Sequence, residues 1–206
     1  MAVTTAARAA AAVAPRPTPE QLRAAAGATI PDVIVADLLV LFSGINPSLY
    51  SGATRLHFAR PGNRFWPALW ASGLTPRRLS PSEGATLLAL GIGITNLVAR
   101  ATATAAELRD DELRAGARAL VRKVRRYRPR VLAIVGITAY RTGFDRPDAT
   151  EGLQPDDIAG APVWVLPNTS GLNAHHQAAD FARAFTALRR FAEQASKRAS
   201  LPGLTR

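Results

Sequence analysis

The apolar positions of this chain fall into two patterns. Near-continuous apolar runs at residues 38–43, 92–97, 131–135 and 163–166 are short and do not alternate, which predicts strands buried on both faces of a sheet. Helices are predicted between and around them, over 19–26, 64–72, 82–90, 105–128, 138–144 and 177–195. Thr18, Pro19 and Gln21 supply a cap, a first-turn proline and a capping-box partner, while Gly91 and Pro129 are stop signals. Asn63 is expected to cap the 64–72 helix, with Phe65, Trp66, Leu69 and Trp70 packed inward. Strands separated by helices predict an α/β fold, a three-layer α/β/α arrangement around a central four-stranded parallel sheet. Residues 1–18 are Ala/Thr/Pro-rich and acid-free and read as a disordered lead, 19–196 as one domain and 197–206 as a flexible tail.

Composition narrows the chemistry. The chain of 206 residues has no cysteine and three histidines, which leaves no disulfide, thiolate metal site or cysteine nucleophile and little for a histidine metal cluster. No window is apolar enough to span a bilayer, and the lead lacks the apolar core of a secretory signal, so a cytoplasmic location is expected. A formal charge of +11 points to a polyanionic partner, nucleic acid first. The alternative is a compositional bias toward Arg and Ala, with the charges merely solvated.

In a parallel sheet, ligands bind beyond the carboxyl ends of the strands. Those ends read GINPSLYSG, TNLVARAT, GITAY and PNTSGLNAHH. No Asp or Glu lies between Asp37 and Glu83, between Glu83 and Glu107, or between Asp157 and Asp180, so three of the four ends lie in acid-free windows. The same windows hold Arg55, His57, Arg60, Arg64, Arg77, Arg78, Arg100, His175 and His176, a rim suited to a phosphate-bearing ligand. Asp37 precedes the first strand and so belongs about 20 Å away, at the opposite edge of the sheet.

Four ordered pieces carry a family resemblance: Gly44-Ile45-Asn46-Pro47, Phe58 through Trp66, Gly93 through Val98, and Leu166 through Asn173. Together they resemble the mismatch-specific uracil/thymine-DNA glycosylases of the uracil-DNA glycosylase superfamily. The resemblance implies a parallel four-stranded sheet between helices, hydrolysis of the glycosidic bond of uracil opposite guanine, and no metal or organic cofactor. Thymine and ethenocytosine are possible further substrates. The implied partner is double-stranded DNA carrying mismatched or damaged pyrimidines, bound by a monomer and reached without any membrane association.

By the same resemblance, Asn46 positions the attacking water. Its side-chain carbonyl accepts from water, but an amide is no strong base. Ile45 and Pro47 flank it, and backbone N–H groups around Ile45 and Phe58 are candidates to meet the departing base oxygens. Phe58 would stack on the flipped base, Ser51 and Asn96 would line the pocket, and Asn168 belongs to the last motif. Ser170, Gly171, Leu172 and Asn173 resemble the intercalation loop, with Leu172 the wedge that fills the vacated stack and His175 a candidate phosphate contact.

Other readings stay open for each residue. Asn46 can be a turn asparagine, Phe58 a core ring, Ser51 a solvated loop serine, Asn96 a strand-end cap and Leu172 an anchor for the last helix. Departures from the family pattern occur at Ser48, Thr169 and Ala174. Arg114, Arg118, Arg122 and Arg126 form a stripe that is either a DNA patch or a solvated helix face. A glycosylase acting broadly on single strands and a non-catalytic lesion-binding protein are the alternative functions.

Overall fold

The computed structural model describes residues 16–171 and 176–199. The expected lead up to residue 15, the tail from residue 200, and Leu172, Asn173 and His175 lie outside the described residues.

Strands β1 (Val40–Gly44), β2 (Ile92–Asn96), β3 (Leu132–Val135), β4 (Gly152–Leu153) and β5 (Val163–Leu166) form one sheet in the order β2-β1-β3-β5-β4. The first three and β5 run parallel, with Phe42 in register with Ile94 and Ala133. Each lies within two residues of its predicted bounds. Strand β4 was not predicted and makes the sheet five-stranded, pairing antiparallel with β5 through Gly152 and Leu153 alone. Two residues carry no pattern of their own.

The helices are α1 (Pro19–Ala24), α2 (Leu49–Thr54), α3 (Phe65–Ala71), α4 (Asp110–Tyr127), α5 (Ile137–Phe144) and α6 (Ala178–Ala199), with 3-10 helices at Pro81–Leu90 and Ala105–Glu107. Every residue of β1 is buried, as its unbroken apolar run requires. Phe42 faces α3 and α6, its ring 5.2 Å from Phe65 and 5.8 Å from Phe185. Leu41 faces the other way, into a cluster with Leu113 and Leu120 of α4 and Tyr140 of α5. These two clusters make the three layers.

Several predicted elements differ in instructive ways. The expected helix over 105–128 is two pieces, because Glu107 accepts from the Thr104 N–H and Glu112 from the Arg109 N–H, so each starts its own helix. Helix α2 was not predicted; its start is the Ser48 side chain, which accepts from the Ser51 N–H. Asn63 accepts from the Phe65 N–H, the bond expected of a cap for the 64–72 helix, but the helix starts one residue later with Arg64 as its N-cap. Phe65, Trp66 and Leu69 pack inward, but Trp70 is 51% exposed. The apolar face centres on Phe65 and Leu69, and Trp66 reaches the core by donating its indole N–H to His57 O. Helix α6 continues through Ala199, beyond its expected end at 195.

Candidate active site

The carboxyl ends of β1, β2, β3 and β5 converge on a cavity of about 590 Å³. Its wall includes Ile45, Asn46, Pro47, Ser51, Phe58, Asn96, Asn168 and Ser170, so the predicted residues meet from four separate stretches of chain.

The segment after β1 is laced to the segment after β2. Leu97 and Val98 donate to Gly44 O and Ile45 O, Thr102 donates to Pro47 O, and Leu49 donates back to Thr102 O. Across this lacing, Asn46 Nδ2 donates to Arg100 O at 3.0 Å and to Thr102 Oγ1 at 2.7 Å. Arg100 O can only accept, and Thr102 spends its own proton on Thr104 O at 2.7 Å. Both partners therefore demand the amide nitrogen at this position, which settles the orientation of the amide. Oδ1 is left as the acceptor. The Arg100 guanidinium is in turn gripped by Glu112, with contacts of 2.6 and 2.9 Å, and that pairing holds the Glu112 carboxyl down at about 2.

Phe58 has a left-handed backbone (φ 52) and stacks on Phe65 with centroids 3.9 Å apart. A phenylalanine in that region is strained, and its loop is held from beneath: Ser51 is buried and its Oγ accepts from the Ala59 N–H. Ser51 is thus a support of the Phe58 loop. A side chain at Gly44 would place its Cβ 2.6 Å from Asn96 Oδ1 and 3.1 Å from Phe58 Cζ. Only glycine lets those two groups meet over the end of the strand.

His57 is buried, and its Nε2 donates to Pro31 O at 2.9 Å. Burial pushes its pKa below the ordinary 6.5, which favours the neutral ring with Nδ1 as acceptor. Asn96 Nδ2 faces that nitrogen at 3.4 Å, leaving Asn96 Oδ1 beside the Phe58 ring. Two of the asparagines on the cavity wall, Asn46 and Asn96, are thus held through their nitrogens, which leaves each oxygen as an acceptor.

The Uracil DNA glycosylase superfamily profile matches residues 31–190, which contain every one of these groups. The chain belongs to this superfamily. Its members are DNA glycosylases, hydrolases of base excision repair, and DNA is their partner. Among solved structures, the chain resembles the solution NMR structure of a candidate uracil DNA glycosylase from Methanosarcina acetivorans. Identity is 19%, the TM-score is 0.51, and the match covers 79% of this chain and 98% of that one. At this identity the likeness concerns the fold, a mostly parallel sheet flanked by helices.

Within this superfamily fold, Arg64 ties the last motif to the Phe58 loop. Its backbone N–H donates to Thr169 O, its Nη2 to Ser170 O at 2.8 Å and its Nη1 to His176 O at 3.0 Å, and the guanidinium lies over the Phe181 ring. Asn168 Oδ1 accepts from the Ser170 N–H, closing the turn that follows β5. Gly171 lies outside the cavity, against Gly62.

Sequence reasoning passed over two carboxylates. Asp32 is paired with Lys123 at 2.5 Å and accepts from Thr95 Oγ1 at 2.7 Å, one residue from Asn96. Glu151 reaches the cavity wall from the edge beside β4 and lies 3.5 Å from His176 Nε2. Both come from outside the strand-end windows, brought in by tertiary packing alone. Asp37 is where the sequence put it, at the far edge, donating its N–H to Tyr127 O at the end of α4.

The arginine stripe divides. Arg114 pairs with Asp110 at 3.7 Å and Arg126 lies over Tyr127, whereas Arg118 and Arg122 are exposed and make no ion pair among the described residues. No described helix is long and apolar enough to cross a membrane.

Proposed function

We propose that this protein is a monofunctional, mismatch-directed uracil-DNA glycosylase of the uracil/thymine type, acting as a monomer on duplex DNA. The observation that carries the reading is the Asn46 amide on the cavity wall, whose two donations through Nδ2 leave Oδ1 as the acceptor. A flipped deoxyuridine would bring C1′ over that oxygen. Water held by Oδ1 adds to C1′ as the C1′–N1 bond breaks, and the bonding pair leaves with the base as a pyrimidine anion. The water's proton passes to solvent, since an amide cannot keep it. Catalysis then rests on positioning and on stabilising the departing anion.

Asn96 supports the choice of base. With its nitrogen on His57, its oxygen can accept from the N3–H of uracil or thymine. Cytosine presents a lone pair at N3 and would be repelled. The open aromatic wall at Phe58 offers a stacking face to any pyrimidine, a contact worth about 1–3 kcal/mol. The chain's lysines are Lys123, held by Asp32 and Thr95, and Lys197. The described cavity wall thus holds no amine for strand cleavage, in keeping with base removal alone. Leu172 is the proposed wedge, with Ser170, Gly171, Asn173 and His175 as the DNA contacts around it.

The test is abasic-site formation on duplexes carrying U opposite G, U opposite A, and on single-stranded U. Alkali-labile sites chiefly at U opposite G support the mismatch-directed reading. Equal cleavage of all three substrates would replace it with a broad uracil glycosylase, and no cleavage with enzyme in excess would leave a DNA-binding protein.

A further inference from the structure

Beside the base cavity, two shallower depressions of about 420 and 290 Å³ lie end to end. They share the turn Arg60-Pro61-Gly62; the larger continues to Arg78 and Ser80, the smaller to Gly171. Arg60 also belongs to the wall of the base cavity, so three hollows share this residue. The loops that build this line are joined, since a Cβ on Gly171 would lie 3.0 Å from Gly62 O and Arg64 donates to Thr169 O.

The charges along the line are uneven. Arg77 is paired with Glu83 at 2.6 Å, and that bond holds the Glu83 carboxyl down at about 2, so the pair stays neutral overall. Arg60 and Arg78 are exposed, and neither side chain has a hydrogen bond or ion pair among the described residues. Two uncompensated cations are therefore set along a furrow whose one carboxylate is already neutralised.

We propose that this furrow is the track for the phosphodiester backbone of the strand whose nucleotide enters the cavity, with Arg60 and Arg78 each taking one phosphate. This rests on the glycosylase reading and deepens it by naming how the strand is held on one side of the flipped nucleotide. Guanidinium suits the task because its planar donors match phosphate oxygens in pairs. The close approach of Gly62 and Gly171 keeps the floor low where the backbone would pass.

The test compares R60Q/R78Q with R118Q/R122Q, two variants that lose the same charge from different places. Binding of a 25-base-pair duplex with one U opposite G is measured across salt concentrations, together with single-turnover excision against enzyme concentration. Each lost phosphate contact should lower the salt slope by about 0.9, so R60Q/R78Q is expected to lose about 1.8. Its half-saturating enzyme concentration should rise about tenfold. R118Q/R122Q should keep the wild-type slope. Equal slope losses in both variants would reduce the effect to the overall field, and an unchanged slope in R60Q/R78Q would remove the track; either overturns the proposal. Both substituted arginines are exposed and unbonded, so folding is not at stake, and unchanged thermal midpoints verify it. Should the wild type bind this duplex but release no uracil, the glycosylase reading fails while the slopes still decide the furrow.

Discussion

Asn46 Nδ2 lies 2.7 Å from Thr102 Oγ1, and Thr102 passes its own proton to Thr104 O at the same distance. A buried threonine 56 residues away thereby decides which end of the Asn46 amide is left as the acceptor. Thr102→Val keeps the shape and removes the acceptor, leaving Arg100 O alone to hold the amide. The saturated single-turnover rate on U opposite G should fall about tenfold or more, with duplex affinity unchanged. Urea denaturation should show a loss of about 1 kcal/mol for the missing hydrogen bonds.

Gly44→Ala would insert a methyl group 2.6 Å from Asn96 Oδ1. Strand β1 is buried throughout and cannot shift to make room, so Asn96 or Phe58 must move. Excision and thermal midpoint should fall together, by about 1–3 kcal/mol in stability. Wild-type excision in a stably folded variant would show that the Asn96–Phe58 approach is not needed.

His57 gives the fold a pH dependence of known sign. Its folded pKa lies below 6.5 through burial, so the unfolded chain binds its proton first as pH falls. The stabilisation from the neutral ring is present above about 6.5 and is lost as pH falls from there through the lowered folded value. His57→Gln should flatten denaturation midpoints across that window. Protonation would also put a second N–H against Asn96 Nδ2, so excision in the wild type should decline over the same range, before the fold is lost.

Arg64 spans Ser170 O and His176 O with two separate Nη atoms, whereas a lysine offers all its donors from one nitrogen. Arg64→Lys should raise amide exchange at 168–171 and 176–178 while leaving that of the sheet unchanged. Affinity for U opposite G should drop about three- to tenfold, at about 1 kcal/mol of lost hydrogen bonding. Unchanged exchange at both stretches would show that Arg64 does not hold these ends.

The four parallel strands could be read from the sequence because a strand buried on both faces must be apolar throughout, as 131–135 is. Where a single long pattern met two local start signals, as at Thr104 and Arg109, the local hydrogen bonds to Glu107 and Glu112 won and the helix split. Trp70 was misplaced because helical spacing fixes a face but not whether another layer covers it. The candidate residues beyond β1, β2 and β5 line one cavity because parallel topology brings their loops to one edge. Asp32, Glu151, Thr102 and the clamp at Arg64 carry no local signal. Their roles arise from contacts across long stretches of chain, such as the 106 residues between Arg64 and Ser170.

The most direct test of the catalytic reading is single-turnover excision on a U-opposite-G duplex by the wild type and by Asn46→Ala, with binding measured on the same duplex. An Oδ1 left as the acceptor predicts a rate loss of about 100-fold or more with affinity within about threefold of wild type. Excision by Asn46→Ala at the wild-type rate would contradict it and move the water to another group on the cavity wall.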